Sequence, residues 1–220
     1  MNGSITTDDG RGGDSIPDRV VEEAVRAVRA GEPVVLPFDT VYGLAADPAN
    51  EDAVQRLYEL KGRGAEQPSA LVAAGVDQLL DCIPELRGAD ELLLRRLLPG
   101  PLTLVVRNPA RRLAWLSGRH PDTIGVRVPD LRGASAEVLR VVAVLVATSA
   151  NRPGEADPRR LDGVPEEIRR DAGAVVNGGE LPGTPSTVID LTGPEPRILR
   201  EGAMPSAEAL RRLGAAVRSG

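Results

Sequence analysis

The 220-residue sequence predicts an α/β (α+β) protein, a sheet flanked by helices. Three observations lead there. Short apolar runs rich in β-branched residues recur, as in residues 33–38 (PVVLPF), 102–106 (LTLVV) and 141–146 (VVAVLV). Segments with apolar residues at helical spacing separate these runs. The 24 glycines and 19 prolines exceed the usual combined share of roughly 12%, so the elements are short and the turns many.

Residues 1–14 (MNGSITTDDGRGGD) are small, polar and glycine-rich, and read as a disordered tail. One domain is expected over residues 15–220. Ser15 can cap a helix starting near Pro17, with Val20, Val21, Ala24, Val25 and Val28 as its apolar stripe and Gly31 as its stop. The strand 33–38 comes next, then a long loop over 39–48. Asn50 caps a helix carrying Val54, Leu57, Tyr58 and Leu60. Residues 69–74 (SALVAA) read as a strand, and 75–81 and 88–98 as helices halted by Pro99-Gly100-Pro101. Strands are expected at 102–106 and 124–128 (IGVRV), a helix at 133–140, and the most strand-like run of all at 141–146. Strands at 174–176 and 187–191 and an amphipathic helix over 205–217 complete the chain.

Bulk chemistry excludes several classes. Net charge is −5 and only four aromatic residues occur, which disfavours a broad nucleic-acid surface built on phosphate contacts and base stacking. Cys82 and His120 are each alone, so neither a disulfide framework nor a Cys/His metal site is available. No run of 18 apolar residues and no apolar leader occurs, so the expectation is a soluble, cytoplasmic protein without a membrane span.

Four polar segments follow or interrupt apolar strands: Asp39-Thr40-Val41-Tyr42-Gly43, Lys61-Gly62-Arg63, Thr148-Ser149-Ala150-Asn151 and Pro185-Ser186-Thr187. Strand ends and the loops after them commonly line the ligand crevice of an open sheet, so the site is expected there. Each segment also has an ordinary structural reading. Thr40 can serve a local turn, the 61–63 triplet complements a helix C-terminus, and 148–151 can cap a helix or turn. As a functional group, Lys61 and Arg63 suit phosphate or carboxylate, but no GxxxxGK[ST] loop exists. Arg127 sits between Val126 and Val128, where an unpaired charge is costly. Two readings stay open for it, a structural salt bridge or a fork holding a substrate carboxylate.

In order and spacing, the pieces LPFDTVYGLAADP, LYELKGRGAEQPSALV, LLPGPLTLVV, IGVRVP, ATSANRPG, and PSTVIDLTG followed by ILREG resemble the YrdC/Sua5 family from about Val34 to Gly202. The resemblance implies a twisted mixed sheet with one large cleft. It implies an L-threonylcarbamoyladenylate synthase of the short, single-domain form. Such an enzyme joins L-threonine, bicarbonate and ATP into threonylcarbamoyl-AMP and pyrophosphate, for modification of adenosine 37 of tRNA by a downstream threonylcarbamoyl transferase. Carried over by position, Thr40, Arg127, Ala147 and Ser186 would hold threonine. Lys61, Arg63, Gln67, Thr123, Ser149, Asn151, Asp157 and Arg200 would surround ATP, with Mg2+ accompanying the nucleotide. No side chain is implied as nucleophile or acid–base group. The sequence departs from the family at Phe38, often Thr; Asp39, commonly Glu; Gly64, frequently Pro; Val72, His in some longer members; and Pro185, frequently Glu or Gly. A double-stranded RNA- or tRNA-binding module and a paralogue acting on another small molecule are the alternatives.

Overall fold

The computed structural model describes residues 5–7 and 18–218. In chain order the elements are β1 (Ile5–Thr7), α1 (Asp18–Arg29), β2 (Val34–Pro37), β3 (Tyr42–Ala46), α2 (Glu51–Lys61), β4 (Ala70–Ala73), α3 (Val76–Cys82), α4 (Ala89–Leu97), β5 (Leu102–Arg107), β6 (Thr123–Arg127), α5 (Gly133–Val142), β7 (Val144–Ser149), α6 (Glu166–Asp171), β8 (Ala174–Asn177), β9 (Thr187–Asp190), β10 (Arg197–Arg200) and α7 (Ser206–Arg218), with single 3-10 turns between some of them.

The strands join one mixed sheet in the order β1-β8-β2-β3-β7-β4-β6-β5-β9-β10. At its centre β3 runs antiparallel to β7 and β7 antiparallel to β4, with Ala147 opposite both Ala45 and Ala70. β4 then pairs parallel with β6, Val72 facing Arg127 across the ladder. β5 is antiparallel to β6 and parallel to β9.

Side chains of a strand alternate between faces, and the two faces are covered unequally. Leu44, Leu71, Ala73, Leu104, Ile124, Val126, Val146 and Ile189 face a large core closed by α2, α3, α4, α6 and α7, with Leu57, Leu79, Leu94, Ile168 and Leu213 as buried partners. On the opposite face a smaller core holds Val34, Leu36, Ala45, Val72 and Leu145 against Val20, Ala24 and Val28 of α1 and Ala134, Val138 and Leu139 of α5. Those two helices cover the β8-β2-β3-β7 side of that face. The same face is left open over β4, β6, β5 and β9, and that opening is the cleft. Among the described residues, no helix is long and apolar enough to cross a membrane.

Several elements differ from the sequence reading. β3 lies inside the expected loop 39–48, because Tyr42 to Ala46 is wholly buried and pairs on both edges. The expected strand 141–146 is displaced: Val141 and Val142 close α5, and β7 runs on through Thr148 and Ser149. Ala143, at φ +67, makes the sharp turn between them. β10 and α6 have no counterpart in the sequence reading. Ile5–Thr7, within the segment read as a tail, pairs parallel with β8, which supplies an open edge that polar composition alone does not reveal. The Ser15 cap lies outside the described residues.

Candidate active site

The cleft has a volume of about 640 Å³, within the range of roughly 300–1,000 Å³ typical of small-molecule sites. The period-two rule builds its floor: Thr123, Gly125 and Arg127 from β6, Thr103 and Val105 from β5, Val188 and Asp190 from β9, and Ala70 and Val72 from β4. The sequence places the site at strand ends. The structure corrects this, since the floor is the uncovered sheet face itself and only the walls are strand ends and loops.

One wall gathers around Arg127, whose residue is 9% exposed. Its Nη2 donates to a carboxylate oxygen of Asp39 and to Thr40 Oγ1, the latter at 2.9 Å. The Phe38 ring centroid lies 5.9 Å from the guanidinium carbon. Gly43 makes room for that ring, for a Cβ there would sit 2.5 Å from Phe38 Cε2. Thus the salt bridge exists, and Arg127 also lines the cleft. Burial raises the pKa of the Asp39 carboxyl, opposed by the neighbouring Arg127 charge. Thr40 is fully buried as a residue, and its hydroxyl oxygen accepts from Arg127.

Beside it, Ser186 Oγ lies 2.8 Å from Thr103 Oγ1, and Arg200 Nη2 donates to Ser186 Oγ at 3.2 Å and to Ser186 O at 2.9 Å. A register shift between Ile198 and Arg200 is what lets consecutive residues Leu199 and Arg200 both reach the cleft. Arg200, assigned by resemblance to ATP, is therefore bonded to Ser186, assigned by resemblance to threonine.

The other wall starts at the end of α2. Asn50 Oδ1 accepts from Ala53 N–H at 3.1 Å and caps the helix. Gly62 ends it in a left-handed turn, with Arg63 N–H donating to Tyr58 O at 3.0 Å. That turn sends Lys61 and Arg63 to different parts of β7. Arg63 Nη1 donates to Thr148 Oγ1 at 3.0 Å, and its Nη2 donates to Gln67 O and Pro68 O at 2.6 Å. Lys61 is buried. Its Nζ donates to Ser149 O at 2.5 Å, Asn151 O at 2.9 Å and Asn151 Oδ1 at 2.8 Å. Burial, reinforced by the Arg63 charge and opposed by Asp157, lowers its pKa from 10.5 to about 8.

Thr40, Arg127, Ala147 and Ser186 line the cleft, as do Arg63, Thr123, Ser149, Asp157 and Arg200. Lys61, Gln67 and Asn151 stand behind this surface: Lys61 and Asn151 bind each other, and Gln67 contributes its carbonyl to Arg63. Sequence reasoning missed Thr103 and His120 among the cleft residues, whereas Asp39 and Thr148 lie in the polar segments it singled out without an individual role. Thr103 was findable, since it interrupts an apolar strand as Arg127 does. Tyr42, inside one of the chosen segments, is structural: its hydroxyl donates to Gly179 O at 2.8 Å and accepts from Gly178 N–H at 3.0 Å.

An open sheet face, a buried arginine on one wall and Arg63 on the other give this cleft the size and polar lining of a small-molecule site. The chain belongs to the Sua5–YciO–YrdC family, whose sequence model, described as "Telomere recombination", matches residues 26–202. The threonylcarbamoyl-AMP synthase of Pyrococcus abyssi is 34% identical, over 91% of this chain and 60% of the relative. That of Stutzerimonas stutzeri is 37% identical, over 82% of this chain and 97% of the relative. The solved P. abyssi Sua5 complexed with L-threonine shares 33% identity and superposes with a TM-score of 0.83, covering 91% of this chain and 59% of that one. The chain thus spans about three fifths of the P. abyssi protein.

Proposed function

We propose that this protein is a threonylcarbamoyl-AMP synthase, forming threonylcarbamoyl-AMP and pyrophosphate from L-threonine, bicarbonate and ATP in the cytoplasm. The product would serve N6-threonylcarbamoyladenosine formation at position 37 of tRNA by a separate transferase. The observation that carries the reading is the placement of Arg127, Thr40 and Ser186 on one wall of a single cleft and Arg63, Ser149 and Asp157 on the other.

The chemistry follows from that division. The Arg127 guanidinium would take the threonine carboxylate as a charge-assisted pair, with Thr40 and Ser186 hydroxyls placing the rest of the amino acid. The amine would then be oriented to attack the bicarbonate carbon, with a C–O bond broken and water lost, and the carboxylate oxygen of the resulting carbamate would attack the α-phosphorus of ATP, breaking its bond to the departing pyrophosphate. Arg63 and Arg200 would offset the charge gathering on pyrophosphate as it leaves. No covalent intermediate on the protein is needed, so rate enhancement would come from orientation and fixed charge. Among the described residues, no group of three or more His, Cys, Asp or Glu side chains could hold a metal. A magnesium ion would therefore depend on phosphate oxygens and water, with Asp157 the acidic side chain on that wall able to join them.

Pyrophosphate release measured with ATP, bicarbonate and each amino acid in turn tests the proposal. Threonine should stand well above all others. Release with threonine equal to the no-amino-acid control would sink it.

A further inference from the structure

The Arg127 guanidinium is held by a group that no contact with substrate explains. Asp39 presents one carboxylate oxygen to Arg127 Nη2, and its other oxygen accepts the Asp130 backbone N–H at 3.2 Å. Both oxygens are thus engaged, and the Asp39 side chain is 9% exposed. Phe38, Thr40 and Arg127 line the cleft, whereas Asp39 does not. It sits behind the arginine, between the β2–β3 turn and the loop leading to α5.

The remaining nitrogens of Arg127 divide clearly. Nη2 is committed to Asp39 and Thr40. Nε is sealed in the interior without a partner. Nη1 has no hydrogen bond among the described residues and is not among the sealed atoms, so it is the donor left toward the cleft. Arg200 repels Arg127 electrostatically, and Asp39 offsets that repulsion.

We propose that Asp39 is a positioning residue: it pins the Nη2 corner of Arg127 from behind the cleft and so presents Nη1 to the carboxylate of the amino-acid substrate. An arginine has several rotatable bonds, and a fork useful for a planar carboxylate must be held in one orientation. Thr40 supplies one anchor, but Thr40 is itself on the wall and available to the ligand. Asp39 supplies the anchor that binding does not disturb. The inference rests on the reading of this cleft as the threonine site.

The test measures threonine and ATP half-saturation, by pyrophosphate release, for wild type and for Asp39→Ala, Asp39→Asn and Asp39→Glu. Thermal melting checks that each variant is folded. Asp39→Ala should raise the threonine KM by about tenfold or more, the loss expected for a weakened charge-assisted bond, while the ATP KM stays within about twofold. Asp39→Glu, which keeps the charge, should recover most of the threonine affinity. Asp39→Asn keeps the shape and removes the charge, so it reads the same split if the alanine variant does not fold. Threonine and ATP constants rising together, or a folded Asp39→Ala or Asp39→Asn protein with unchanged threonine KM, would overturn the Asp39 role alone. A wild-type protein without threonine-dependent release would remove the parent reading and this role with it.

Discussion

Replacing Lys61 with Met keeps the length of the buried chain and deletes its ammonium. Two effects then oppose each other. The fall of the Lys61 pKa from 10.5 to about 8 is, at about 1.4 kcal/mol per pKa unit, a penalty of about 3 kcal/mol on the charged form relative to water; the variant escapes it. Against this, Ser149 O and Asn151 O lose a donor each, at about 1–3 kcal/mol apiece. At neutral pH the variant should therefore be less stable by no more than about 3 kcal/mol. The sharper signal is in the pH dependence. Below about pH 8 Lys61 is charged in both the folded and unfolded chain. Between about 8 and 10.5 the unfolded chain binds more protons, so wild-type stability from this group rises with pH. The Lys61→Met variant lacks that rise. Urea unfolding of both proteins should show the wild type gaining about 2 kcal/mol over the variant between roughly pH 7.5 and 9.5, with every other titrating group cancelling in the difference. A flat difference across that window would mean that burial does not lower the Lys61 pKa, and the reasoning from desolvation would be refuted.

Arg127→Lys keeps a charge near Asp39 but loses the fork, so the threonine KM should rise about tenfold with the ATP KM little changed; equal changes in both would argue for a structural role alone. A Cβ at Gly202 would sit 2.2 Å from Pro185 O and 2.5 Å from Ser186 C, and backbone cannot yield as a side chain can. Gly202→Ala should therefore cost at least about 2 kcal/mol in chemical unfolding and disturb threonine use through the Ser186–Arg200 contact. Asn50→Ala removes the side-chain acceptor at the start of α2 and should cost about 1 kcal/mol, read as a lower melting temperature, while leaving substrate constants unchanged because the cap lies at the far end of the helix from Lys61.

The helices and most strands follow from period and punctuation, and the sequence shows them. Asn50 and Gly62 bracket α2 as capping chemistry requires, and the apolar runs became β2, β5 and the first half of β7. β3 escaped because Tyr42-Gly43-Leu44-Ala45-Ala46 has neither alternation nor β-branched residues; it is a strand because β2 and β7 pair with it on both edges. β10 escaped for a similar reason, being mostly exposed and held by β9.

The sequence by itself determined the family and the fold class, since motif order and local periodicity are properties of the chain. Only the tertiary structure decided what the site residues do to one another. It set Asp39 behind Arg127, joined Arg200 to Ser186, and drew Lys61 back against Ser149 and Asn151 while Arg63 stayed on the wall. The physical reason is that a side chain's role depends on which sheet face it takes and on what covers that face. Helices α1 and α5 cover only part of one face, and that partial cover is set by packing among elements far apart in sequence.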